Sequence, residues 1–300
     1  MDKIRHIIPE NEMKVSQLVD QMKNAGFGAR NLGKASDILK EMLKDKDCRI
    51  FLGIAGAMVP AGMKRIIIDM INTGRISAVV TTGATLTHDM IEALGESHYQ
   101  CDSWDDRDFQ DKGYDRMHNV FMKKGVYEIL EKFFKENWQK LNETRNVASF
   151  LRKIGEILPK EEKSILKTCH DRNIPVFCPG IADSGIGLMI WGRLMEGKKI
   201  SVDVFDDMND IIDLAWTSGK NGVLYIGGGV PKNFIQQSLQ FSKGADYGIQ
   251  ITTDRAESGG SSGAPLAEGI SWGKMNKKGK FVDVFCDATI ALPLLWMSVR

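Results

Sequence analysis

The chain carries almost no net charge. Its 40 Lys and Arg stand against 39 Asp and Glu, a formal +1 over 300 residues. The basic side chains are spread along it, which argues against a nucleic-acid or anionic membrane surface. Cysteine is scarce: Cys48, Cys101, Cys169, Cys178 and Cys286 are odd in number and none has CxxC spacing. Three of them lie in or beside apolar strand-like runs, which points to buried, reduced thiols of a cytosolic protein rather than a disulfide framework. There is no 18-residue apolar run, and the opening MDKIRH has no signal-peptide pattern. The expectation is a soluble, cytoplasmic protein. His98, Cys101 and Asp102 are close in sequence but lack a second cluster, so no metal site is expected. No internal repeat and no low-complexity tail is present.

What is present suffices for a large core: 43% of residues are apolar. Short β-branched runs alternate with longer segments of helical period. Strands are expected at 49–54, 77–82, 174–178, 199–204, 222–226, 246–252 and 280–286. Leu18, Val19 and Met22, then Ile66, Ile67 and Met70, recur at helical spacing, and 206–216 reads the same way. Alternation of this kind implies parallel pairing through right-handed crossovers. The expected fold is a doubly wound, mostly parallel α/β sheet, Rossmann-like, with helices on both faces. The chain reads as one domain, 1–300. Residues 1–45 form two helices that part near Gly26, and 97–158 form a charged, aromatic and then helical elaboration.

Ligands of such sheets sit at the carboxyl ends of the strands. Those ends read Gly53-Ile54-Ala55-Gly56, Thr82-Gly83-Ala84, Pro179-Gly180-Ile181-Ala182-Asp183, Gly227-Gly228-Gly229 and Thr252-Thr253. Small residues and hydroxyls at several ends suit a large, flat, polar ligand such as a dinucleotide. The triple glycine is not a GxGxxG fingerprint, because Gly227, Gly229 and Lys232 spell GxGxxK. It is read either as an anion-binding helix start or as a tight turn with no ligand. Asp183 and Asp287 each follow a strand-like run, as ribose or amine ligands or as helix caps. His88 is an acid/base candidate or a capping histidine.

The most informative stretch is SGGSSGAPLAEGISWGK, Ser258 to Lys274, with five glycines and four serines. It reads as a flexible, donor-rich loop leading to one lysine beside Trp272. A lysine against an apolar ring is a candidate nucleophile, and Glu268 is placed to orient it or bind an amine. The basic run Lys274–Lys280 reads as a solvated turn beyond the loop.

That loop, together with GADYGIQITT and VDVFCDATIALPLL, resembles the C-terminal third of the deoxyhypusine synthase family. AGFGARNLGKA, FLGIAGAMVPAGMKRII, AVVTTGATLTHD, IPVFCPGIADSGIG and VLYIGGGVPKN match in order upstream. The resemblance is weakest from about 97 to 150, and EGISWGK is its most specific part. It implies an NAD-dependent transferase that dehydrogenates spermidine and carries the aminobutyl group as an imine on Lys274. The group then passes to a lysine of the hypusine-containing translation factor. It also implies a homotetramer with active sites at subunit interfaces. By resemblance Glu268 and Trp272 line the polyamine pocket, with Asn233 and Ser261 at substrate positions. Thr82, Gly83, Ala84, Asp183, Gly228, Gly229, Thr253, Gly259, Asp287 and Ala288 fall on NAD positions.

The chain also departs from that pattern. Leu188 and Ser261 stand where the family carries spermidine-binding acids, and Ser258 where an acid opens the loop. Asn233 aligns with a histidine that assists dehydrogenation, and His88 with a glutamate. The family's N-terminal extension has no counterpart in these 300 residues. Losing two carboxylate–ammonium pairs would lower spermidine affinity by roughly two to three orders of magnitude. The expected function is an NAD-dependent aminobutyl transferase on a polyamine donor. The alternatives are homospermidine-like transfer to a small amine, or a non-catalytic NAD-binding relative.

Overall fold

A computed structural model describes residues 3–300. In chain order it runs α1 (Val15–Met22), α2 (Phe27–Lys44), β1 (Cys48–Ile54), α3 (Lys64–Asn72), β2 (Ile76–Thr81), α4 (Gly83–Ala93), β3 (Tyr99–Gln100), α5 (Asp106–Asp111), β4 (Tyr114–Met117) and β5 (Val120–Lys123). It continues through α6 (Val126–Leu141), α7 (Val147–Ile157), α8 (Ile165–Asp171), β6 (Val176–Phe177), α9 (Gly185–Met195), α10 (Val204–Trp216), β7 (Lys220–Ile226), α11 (Gly229–Leu239), β8 (Ala245–Thr252), β9 (Met275–Phe285) and α12 (Ala288–Met297). Contacts group the chain into two compact units, one of residues 1–55, 72–80 and 208–300, the other of 56–71 and 81–207.

The first unit supplies the strand order β2-β1-β7-β8-β9 to the main sheet. The pairs β1–β7, β7–β8 and β8–β9 are parallel. Ile50, Phe51, Leu52 and Ile54 of β1 are all fully buried, the continuous apolar run of a strand covered on both faces. Each such side chain contributes roughly 1.5–3 kcal/mol on burial. The two coverings can be read from two glycines. A Cβ on Gly53 would lie 2.8 Å from Tyr225 and 3.2 Å from Ile235 of α11. A Cβ on Gly222, three residues before Tyr225 and so on the opposite face, would meet Met42 of α2. Helices therefore cover both faces, as expected of the doubly wound class. α2 turns Leu32, Ala35, Ile38, Leu39 and Met42 inward at i, i+3 and i+4 spacing.

The second unit is mainly helical, with a three-stranded antiparallel sheet in the order β3-β5-β4. Residues 97–158 thus hold strands as well as the expected helices. Tyr99, Phe109, Tyr114 and Phe121 form a ring cluster over that sheet, with centroids 5.0–5.6 Å apart. The fully buried Asp89 of α4 accepts hydrogen bonds from Ser164 Oγ (2.7 Å), Ile165 N (2.8 Å) and Leu166 N (3.0 Å), tying α4 to the first turn of α8.

Two expectations fail. Residues 199–204 form no strand: Asp203 makes an isolated bridge to Asn146, and Val204 opens α10, whose start Asp203 caps through Phe205 N. The basic run after Lys274 is not a turn but the start of β9, where the pairing steps from Ala245–Met275 to Tyr247–Lys280 and leaves a bulge holding Lys277 and Lys278. All five cysteines are free, with Cys48, Cys169 and Cys178 buried. Burial pushes the thiols of Cys48 and Cys178 up to about 12. Among the described residues no helix is long and apolar enough to cross a membrane.

Asp89→Ala should lower unfolding free energy by about 2–4 kcal/mol, because three donors lose a buried acceptor. Asp89→Asn, which keeps one acceptor oxygen, should lose less. Urea denaturation measures both.

Candidate active site

Lys274 lies in the first unit, immediately before β9. Its backbone is held on both sides: its N–H donates to Gly269 O (2.8 Å) and its carbonyl accepts from Ala245 N (3.0 Å). Gly273 before it has φ +70°, a left-handed turn that side-chain-bearing residues rarely take. The Lys274 ammonium sits 5.2 Å from the ring centre of Trp272, which is itself 59% exposed. The lysine is thus presented from a rigid strand start, with an open aromatic face beside it.

The glycine-serine loop is pinned rather than flexible. Lys232 of α11, only 1% exposed, donates through Nζ to Gln250 Oε1 and to Ala264 O, both at 2.6 Å. Gln250 Nε2 in turn donates to Ser262 O (2.5 Å), and Ser262 Oγ donates to the Asp254 carboxylate. Ser261 Oγ reaches Gly229 O (3.1 Å). A Cβ on Gly228 would overlap Ser262, so glycine at 228 is required by the close approach of the loop.

Six of the residues expected from the sequence meet here. Asn233, Gly259, Ser261, Glu268, Trp272 and Lys274 line one cavity of about 180 Å3. Lys232 and Gln236 line it too. Burial pulls the Lys232 ammonium down to about 8, with the charge of Lys274 acting the same way and Asp283 and Glu268 opposing. The ionisable groups on the wall are therefore two lysines and one acid, Glu268. No local pattern in the sequence marks Lys232 as a structural charge or Gln250 as its partner. A buried lysine has no sequence signature beyond its place in the third position after a glycine-rich strand end.

Elsewhere in the first unit the N-terminus of α11 begins at Gly229, where a Cβ would meet nothing within 4 Å. A larger cavity of about 470 Å3 opens at the ends of β8 and β9, lined by Thr253, Arg255, Ala256, Glu257, Phe285 and Cys286. The exposed Asp287 follows it and caps α12 through Thr289 N (2.7 Å); Ala288 opens the helix.

In the second unit Thr82 caps α4 through Thr85 N, and a Cβ on Gly83 would lie 2.5 Å from Ser184, with exposed Ala84 next to it. The cap of α9 is Ser184, through Gly187 N (3.1 Å), which leaves the exposed Asp183 outside the cap. Leu188 is exposed on α9. His88 is no cap either. Its Nδ1 lies 3.0 Å from His98 Nε2, and His98 Nδ1 lies 2.8 Å from Glu92, which also pairs with Lys64. Burial first, then the His98 charge, holds the His88 imidazole down to about 4. Among the described residues no group of three or more His, Cys, Asp or Glu is placed to hold a metal ion.

The family model named deoxyhypusine synthase matches residues 17–299. A Methanosarcina acetivorans protein named Probable deoxyhypusine synthase 1 is 42% identical over 297 residues, covering 98% of this chain and 92% of the relative. A protein of the same name in Archaeoglobus fulgidus is 41% identical over 285 residues, covering 95% and 93%. The crystal structure of a protein named as a deoxyhypusine synthase from Entamoeba histolytica agrees with TM-score 0.68 at 20% identity, over 95% of this chain and 92% of that one, which shows the fold. Fold and site together define a doubly wound α/β protein with a lysine presented at a glycine-walled cleft. The chain belongs to the deoxyhypusine synthase family.

Lys232 supplies a test of the clamp. Between pH 8 and pH 10.5 the unfolded chain holds this proton while the folded chain releases it, so folding stability rises with pH in that window. Wild type should therefore gain stability relative to Lys232→Met as pH rises from 8 to 10, measured by urea denaturation of both at each pH.

Proposed function

We propose that the protein is an NAD-dependent transferase that moves an aminobutyl group from a polyamine through an imine on Lys274. The observation that carries this is the meeting of Lys274, Trp272, Glu268, Asn233 and Ser261 in one cleft of a chain that belongs to the family. Lys274 is the nucleophile, and its fixed backbone presents the amine in one place. Trp272 offers a π face to a cationic amine. Glu268 binds the amine or accepts its proton, and His88 is a second proton-handling group.

The chain fits a dinucleotide. The open start of α11 at Gly229 suits an anion, the cavity of about 470 Å3 suits a flat ring system, and the exposed carboxylate of Asp287 suits a ribose hydroxyl. The residues assigned to NAD are Thr82, Gly83, Ala84, Asp183, Gly228, Gly229, Thr253, Gly259, Asp287 and Ala288. Of these, Gly83 and Gly228 act by letting Ser184 and the glycine-serine loop approach, not by leaving open space. When bound, NAD supplies the hydride acceptor for the carbon next to the amine. The acceptor of the aminobutyl group is the lysine of the hypusine-containing translation factor, and the enzyme is a cytoplasmic homotetramer with its sites at subunit interfaces.

One observation favours a second acceptor or donor. With two lysines and a single acid on its wall, the cleft is poorly matched to a triply charged amine. Transfer to a small amine such as putrescine, giving a homospermidine-like product, follows if fewer charges must be held.

Lys274→Ala should bind NAD as wild type does but give no adduct when the protein is incubated with NAD and spermidine, putrescine or agmatine and then reduced with borohydride. Mass spectrometry of the Lys274 peptide reads the result. Wild type without adduct or NADH for any of the three contradicts the transferase. An adduct that passes only to small amines contradicts the translation-factor acceptor.

A further inference from the structure

One buried polar side chain of the Lys274 cleft has no partner. Gln236 stands one turn after Asn233 on α11 and lines the cavity of about 180 Å3 with Lys232, Asn233, Glu268 and Lys274. All of these lie in the first unit. Gln236 is only 7% exposed, yet its side-chain amide makes no hydrogen bond among the described residues. The amide lies against Gly269, where a Cβ would be 3.6 Å from Gln236 Nε2 and 3.6 Å from Lys274 Cβ. Gly269 thus brings the free amide and the stem of the lysine to the same spot.

Buried amides are nearly always paired, because leaving one unpaired is costly. A ligand in the cavity supplies the missing partner, and the chemistry of the amide says which ligand it suits. Its oxygen accepts an N–H bond but brings no full charge to offset an ammonium taken out of water. Its nitrogen donates to a lone pair, which a neutral amine or an imine has and an ammonium lacks. The rest of the wall agrees. Asn233 is a second amide and Ser261 a hydroxyl, while Lys232 and Lys274 oppose further positive charge. Glu268 alone can answer an ammonium.

We propose that Gln236 is a specificity-determining residue of the cleft, which binds an uncharged nitrogen of the substrate beside Lys274 while Glu268 holds an ammonium. This rests on the reading of the cleft as an amine site. The substrate class that satisfies both groups is a linear diamine with one nitrogen charged and one neutral. A triamine brings a further ammonium for which the wall has no carboxylate, so its desolvation is not repaid. The cleft therefore selects for a diamine and against a triamine by the charge it withholds. Gln236 sets that balance, because a carboxylate in its place would give the wall two acids against its two lysines.

Gln236→Glu keeps the shape of the side chain and adds the charge. Calorimetric titration of the full-length protein with putrescine and with spermidine reads the two dissociation constants, with NADH present so that no hydride leaves the amine. Wild type should bind putrescine more tightly than spermidine. Gln236→Glu should shift the ratio of the two constants toward spermidine by about 10-fold or more. Gln236→Leu, which removes the amide at similar size, should weaken putrescine by about 5-fold or more. Wild type that prefers spermidine, or a ratio unmoved in Gln236→Glu, overturns the proposal. If Gln236→Glu does not fold, Gln236→Leu decides, and unchanged putrescine binding in it overturns the proposal. NADH formation from NAD and each amine tests the parent reading separately. None from wild type overturns the transferase, while the titrations still decide the role of Gln236. Wild type that binds neither amine overturns both.

Discussion

The unit that carries Lys274 and the glycine-serine loop depends on one buried ammonium. Lys232 is almost wholly removed from water, and two carbonyl oxygens, one from β8 and one from the glycine-serine loop, compensate it. Isolated, such a charge would cost several kcal/mol. Its partners give it geometry instead: the loop cannot leave without stranding the charge. Gln250 extends the same constraint to Ser262, and the short approach at Gly228 leaves no room for a side chain there. Lys274 inherits its position from this arrangement, since the strand it opens pairs with β8, which carries Gln250.

The same clamp sets the electrostatics of the cleft. Its wall already holds Lys232 when Lys274 enters it, and only Glu268 answers them. This disfavours a substrate carrying several ammonium groups. The wall of the cleft is thus set by one charge balance, two lysines against one acid.

Much of this was legible in the sequence, for identifiable reasons. The parallel strands were legible because runs such as Ile50–Ile54 are apolar at every position but one, which only a two-sided burial explains. Residues 199–204 misled because a β-branched run carries the same local signal whether or not a neighbour is there to pair with it. Glu268, Trp272 and Lys274 were legible because seven residues of local sequence bring them to one wall. The stiffness of the loop was not, because glycine and serine composition speaks for freedom while the restraints come from Lys232, Gln250 and Asp254, distant or ordinary in sequence. The His88–His98 contact was hidden for the opposite reason: ten residues separate the two, a distance that neither helical nor strand spacing predicts.

Amide hydrogen exchange reads the clamp directly. In wild type, peptides spanning 258–274 should exchange slowly, at rates nearer to β8 than to an exposed loop. In Lys232→Met the same peptides should exchange as an open loop while β1 and β7 stay protected. Equal protection of 258–274 in the two proteins would contradict the claim that the buried lysine holds the loop and, through it, Lys274.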